Sequence, residues 1–108
     1  MATWGDVEAI ASRLEGARPG TAHEGSPTYD VGRHPFARLR WEGDREILEY
    51  WSLELDSALA LADRSHTFFR VDTFRVKVSI WAWLDRLDVA ELTELVTDSW
   101  RARRGVRS

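Results

Sequence analysis

The sequence predicts an α+β domain, a five-stranded antiparallel sheet with helices packed on one face, in the order α-β-β-β-α-β-β-α. Three observations carry this. Between Phe74 and Leu84, the residues Phe74, Val76, Val78, Ile80, Ala82 and Leu84 alternate with Arg75, Lys77, Ser79, Trp81 and Trp83. Successive strand side chains point to opposite faces, so this period of two gives one apolar face and one basic, aromatic face. Runs with helical spacing stand at both ends of the chain, and short β-prone runs broken by turn residues fill the middle.

The first element is a helix. Thr3 is a candidate N-cap with Asp6 at the third helical position, and Trp4, Val7, Ile10, Ala11 and Leu14 trace one face before Gly16 ends it. Residues 17–27 read as a loop, because Arg18-Pro19-Gly20 and Gly25-Ser26-Pro27 are breakers. Thr28 to Val31 is a short strand, and Gly32-Arg33-His34-Pro35 turns the chain. The return strand, Phe36 to Trp41, places Ala37, Leu39 and Trp41 on one face and Phe36, Arg38 and Arg40 on the other. Glu42-Gly43-Asp44 turns again into a strand from Glu46 to Leu53, giving an antiparallel meander. Leu55, Ala58, Leu59 and Ala62 then space a short helix ending near Arg64.

Thr67 to Val71 is the next strand, with Asp72-Thr73 as the hairpin turn into the long alternating strand. The last helix has Asp88 as N-cap, Glu91 three residues on, and a hydrophobic staple between Leu87 and Leu92. Its buried stripe is Val89, Leu92, Leu95, Val96, Ser99 and Trp100, expected against the preceding strand. Arg101, Arg103 and Arg104 suit the dipole of its last turn, and Gly105 stops it.

Composition narrows the function classes. At 108 residues the chain is one domain, residues 1–108, large enough for a single core. It has no cysteine, so disulfides, thiol chemistry and cysteine-ligated zinc are excluded. No apolar leader core and no 18-residue apolar run occurs, and a cytoplasmic protein without a membrane partner is the expectation. A net charge of −3 argues against a strongly nonspecific nucleic-acid binder, but the charge is unevenly spread. Residues 31–45 hold four Arg against Glu42 and Asp44, and residues 67–84 hold Arg70, Arg75 and Lys77 against Asp72. Residues 46–66 carry five acids against Arg64, so positive charge goes with the strands.

Several pieces of the chain resemble the MmcQ/YjbR family of small α+β proteins. They are Thr3-Trp4-Gly5-Asp6-Val7, Leu14-Glu15-Gly16, Ser26 to Gly32, Phe36-Ala37-Arg38-Leu39, and the strand and helix from Val76 to Trp100. The resemblance implies a DNA-binding protein that uses hairpins as a double wing. It brings no catalytic or base-reading residues with it. The family pattern has a proline where Glu15 stands, and a longer loop where this chain has Asp72-Thr73.

The residues themselves point to a binding surface rather than to catalysis. Arg38, Arg40, Arg75, Lys77, Trp81 and Trp83 share the sheet face away from the helices if the strands pair in the expected register. Arg binds phosphate and Trp stacks on bases, a combination that suits nucleic acid. Arg33 and Arg45 stand at hairpin tips as wings. The alternatives are a protein-interaction module or homodimer that buries Trp81 and Trp83, or a plain solvated face. The basic run Arg101 to Arg107 reads either as a phosphate-binding arm or as a dipole-matched helix end. His23, His34 and His66 are scattered, with no metal spacing among them. Gly20, Gly25 and Gly32 do not form a phosphate loop, and Gly25-Ser26-Pro27 is not a nucleophile elbow. No catalytic residue, cofactor or metal is expected.

Overall fold

Six strands rather than five form the sheet, because an edge strand occupies part of the expected first loop. The computed structural model describes residues 1–52, 67–74 and 77–104. Among these, the elements run α1 (Trp4–Ala11), β1 (Ala17–Thr21), β2 (Pro27–Val31), β3 (His34–Glu42), β4 (Arg45–Ser52), β5 (Phe68–Phe74), β6 (Lys77–Trp83), a 3-10 turn (Leu84–Arg86) and α2 (Val89–Arg104). All neighbouring strands are antiparallel, in the spatial order β1-β2-β3-β4-β6-β5. The described order is therefore α-β-β-β-β-β-β-α. The helix expected over 55–64 lies outside the described residues, as do Leu53, Arg75, Val76 and Gly105.

β1 was hidden by Pro19 and Gly20, which read as breakers. On an edge strand the missing Pro19 N–H costs nothing on the open side. Gly20 suits a close approach: a Cβ there would overlap the Asp30 carboxylate and meet Thr28 Oγ1 at 2.8 Å, so those side chains would have to shift. The last hairpin is also displaced from its expected place. Asp72 and Thr73 are not a turn but ladder residues opposite Ser79 and Val78, and pairing runs on to Phe74 and Lys77. A β-branched Thr favours a strand, no glycine marks a turn there, and Asp72 is held within β5 by Arg70 at 2.8 Å.

The helix side of the sheet follows the alternation through its middle, but Trp41, on the face of Ala37 and Leu39, is 53% exposed, and Ile47 is buried on the opposite face. Leu39, Leu48, Tyr50, Val78, Ile80 and Ala82 are buried on the helix side. Phe36 was expected beside Arg38 and Arg40. It joins the core instead, because the β2–β3 register slips between Tyr29 and Asp30. Tyr29 faces Ala37 and Asp30 faces Pro35, so Phe36 is the extra residue of a bulge. Phe36 and Ala37 are both fully buried as a result.

The two helices cover this side. Thr3 and Asp6 form the capping box of α1: the Thr3 amide donates to the Asp6 carboxylate at 2.9 Å and the Asp6 amide to Thr3 Oγ1 at 3.3 Å. α1 ends at Ala11, earlier than Gly16, and Leu14 packs from the following turn. Asp88 caps α2 by accepting from the Glu91 amide at 2.7 Å, and Leu87 and Leu92 are both buried. α2 lies across β3 and β4 and against α1, not along β6 as expected. Its buried residues are Leu92, Val96, Ser99 and Arg103, whereas Val89 is 50% exposed. Ser99 fastens α2 to the sheet. Its hydroxyl donates to the Phe36 carbonyl at 2.5 Å and accepts from the Trp51 amide at 2.9 Å. No described helix is long and apolar enough to cross a membrane.

Candidate nucleic-acid interface

The strand register decides which side chains meet on the face away from the helices. Pairing across β3, β4, β6 and β5 aligns Arg38, Glu49, Trp81 and Arg70 in one row. The next row holds Arg40, Ile47 and Trp83. Arg38, Arg40, Trp81 and Trp83 are thus brought together as their alternation predicts, and Arg45 joins them from the start of β4. The Arg75 residue and the Lys77 side chain lie outside the described residues. Arg33 is exposed in the two-residue β2–β3 turn, where Gly32 adopts φ +61. It stands at the opposite end of β3 from Arg45. The nine residues of β3 span roughly 30 Å at about 3.3 Å each, so the two wings are separate places.

On this face the arginines pack on the indoles. The Arg40 and Arg70 guanidiniums lie 4.2 and 4.3 Å from the Trp81 ring centroid. Phe69 stacks on Trp83 at 4.4 Å and meets the edge of Trp81 at 6.3 Å. The Arg45 guanidinium lies 3.8 Å from the Trp83 ring. With a ring stacked on one side and a cation over the other, both faces of Trp83 are in contact. Trp81 Nε1 is buried without an acceptor among the described residues.

Each of these arginines also has a carboxylate. Arg38 pairs with Glu24 and donates from Nε to Ser26 Oγ at 3.3 Å. Arg40 donates to Glu49 at 2.7 Å, and its Nη1 is 4.0 Å from the second oxygen of Glu24. Arg45 makes a forked pair with Asp85, both contacts at 2.8 Å. Arg70 pairs with Asp72. Among the described residues, each arginine on this aromatic face is therefore offset by a carboxylate. The Arg45 hydrogen bond holds the Asp85 carboxyl below its ordinary range, against the opposing effect of burial, and Asp85 raises Arg45 in return. The Glu24 carboxyl is also lowered, first by a hydrogen bond that it accepts from its own backbone amide and then by Arg38 and Arg40.

Positive charge without such partners gathers at the other end of the strands. Arg33 at the turn, Arg18 on β1 and Arg104 at the end of α2 are exposed, and none is in an ion pair with a described carboxylate. Arg18 reaches to the Gly32 carbonyl at 3.4 Å, away from Asp30, which faces it across the ladder and accepts from Thr28. Trp100 Nε1 donates to the Glu15 carbonyl at 2.9 Å, and Arg104 lies 4.3 Å from the Trp100 ring. Arg103 adds its charge from a buried position. Its Nε donates to the Pro35 carbonyl at 3.0 Å, and burial lowers its pKa from the ordinary arginine value.

Sequence reasoning missed the carboxylates and Phe69. Glu49 was within reach of it, since a turn at Gly43 places Glu49 directly opposite Arg38. Glu24, Asp72 and Asp85 come from a loop, from β5 two residues beyond Arg70, and from the 3-10 turn after β6, which no alternation signals. Among the described residues no group of three His, Asp or Glu could hold a metal. Comparison with protein-family models, curated proteins and solved structures finds no match.

Proposed function

We propose that the chain is a nucleic-acid-binding protein without catalytic activity. It contacts phosphates from the arginine end of the sheet and extends onto the Arg38–Arg40 side of the face. The observation that supports it most is that Arg18 and Arg33, exposed and without carboxylate partners among the described residues, stand at one narrow hairpin turn, where Arg18 reaches the Gly32 carbonyl. A two-residue turn bearing Arg is shaped to enter a groove, and unpaired guanidiniums release counterions when they meet phosphates. Arg38 lies five residues along β3 from Arg33, roughly 17 Å at about 3.3 Å per residue, so one nucleic-acid strand can reach both. The resemblance to MmcQ/YjbR proteins points the same way. Bases do not stack on Trp83 in this reading, since both of its faces are in contact.

The test is a salt titration of binding to single-stranded and duplex DNA. Binding weakens with salt, and Arg18→Glu with Arg33→Glu lowers the log–log slope by roughly 1 to 2 while the fold is unchanged. Absence of binding at low salt, or binding without a salt slope, removes the proposal. One observation favours a protein partner or a second copy instead: the described arginines of the aromatic face are offset by carboxylates, and arginines and tryptophans are the types that anchor protein interfaces. Self-association in sedimentation experiments that Trp83→Ala abolishes supports that second reading.

A further inference from the structure

Glu24 occupies the position that an external anion would take on the sheet face. Its two carboxylate oxygens are shared between two arginines: one oxygen contacts Arg38 Nη2 and the other is 4.0 Å from Arg40 Nη1. The arginines are the fixed partners. Their side chains are only 17% and 25% exposed, Arg38 is also bonded to Ser26, and Arg40 is anchored by the buried Glu49. Glu24 is the movable one. Its side chain is 61% exposed, and it stands on a turn between β1 and β2 closed by two backbone hydrogen bonds, Ala22 to Ser26 and Gly25 to Ala22. A carboxylate held this way presents the same forked oxygen geometry to guanidiniums as a phosphate.

We propose that Arg38 and Arg40 form an oxyanion site that Glu24 fills from within the chain, as a plug that a phosphate group displaces. The inference rests on the nucleic-acid reading for the source of that phosphate, and on the geometry of the site alone for the plug. In the resting chain Glu24 and Glu49 offset the charge of both arginines. With Glu24 displaced, one net positive charge opens beside Trp81. Nucleic acid held at Arg33 supplies a phosphate at high local concentration, so engagement at the hairpin end drives the exchange at the face.

Glu24→Gln removes the competing charge from an exposed turn and leaves the core untouched. The Arg38 and Arg40 Nε–H signals, followed by NMR, shift and saturate with inorganic phosphate at roughly tenfold lower concentration in Glu24→Gln than in the wild type. Adding Arg38→Gln abolishes the response of the remaining Arg40 Nε–H signal. In parallel, Glu24→Gln tightens binding of a duplex oligonucleotide severalfold and steepens its salt slope by about 0.9, one further phosphate contact. If phosphate response rises in Glu24→Gln while no oligonucleotide binds either protein, the plug stands and the nucleic-acid reading falls. If the phosphate response of Glu24→Gln equals that of the wild type, the plug is overturned, whatever the oligonucleotides do.

Discussion

Ser99→Ala tests how α2 is joined to the sheet. The Ser99 side chain is fully buried, and its hydroxyl serves two backbone groups at once, the Phe36 carbonyl at 2.5 Å and the Trp51 amide at 2.9 Å. Ala37 and Tyr50 are the last paired residues of β3 and β4 at this end, so the hydroxyl stands where the next rung of the ladder would be. Alanine keeps the Cβ and removes only the oxygen. Leaving a buried backbone group unpaired costs about 1–3 kcal/mol, and Trp51 is half-buried, so the two groups together cost about 2–4 kcal/mol. For a chain of this size that lowers Tm by roughly 8–15 °C. Urea unfolding followed by tryptophan fluorescence should show a lower midpoint with an unchanged m-value. Ser12→Ala is the control: its hydroxyl donates to the Ala9 carbonyl at an exposed helix end, and the loss stays under about 0.5 kcal/mol. A Ser99→Ala cost as small as the control's would refute the reasoning, because the strands would then have closed the missing rung themselves.

The remaining predictions concern one ion pair and one glycine. The folded Asp85 carboxyl lies below its unfolded value, chiefly through the Arg45 hydrogen bond, so it contributes stability above the unfolded value near about 3.9. That contribution is lost as pH falls from there through the depressed folded value. The Arg45 side chain is 40% exposed, so the effect is small, and Asp85→Asn should flatten the acid limb of a stability–pH curve without changing its neutral plateau by more than about 1 kcal/mol. An acid limb as steep in Asp85→Asn as in the wild type would show that other carboxylates carry it. Gly20→Ala places a Cβ against Asp30 and Thr28, and should destabilise by roughly 1–3 kcal/mol in thermal unfolding. An unchanged Tm would mean that the Asp30 side chain swings aside without cost.

What the sequence made legible, and what it did not, divides by the range of the interaction. Caps and alternation are local: Thr3 and Asp6, Asp88 before α2, and Val78, Ile80 and Ala82 against Trp81 and Trp83 all stand where their neighbours in sequence predict. Three of the misplaced features each depend on a partner far along the chain. β1 is a strand only because β2 offers it a ladder, and as an edge it tolerates the Pro19 that argued against it. Phe36 turns inward because of a bulge against Tyr29, which no alternation within β3 reveals. Val89 fits the helical stripe but faces out, since α2 crosses β3 and β4 rather than β6. The candidate site divides the same way. Gathering Arg38, Arg40, Trp81 and Trp83 needed only alternation and register. The charge of that face depends on Glu24, Glu49, Asp72 and Asp85, which come from four different segments. Among the described residues the arginines of the face each meet a carboxylate, while Arg33 at its turn meets none. A binding surface built from paired arginines gains attraction for an anion only by giving up a carboxylate, and Glu24, the most exposed of the four acids, is the one whose release disturbs the fold least.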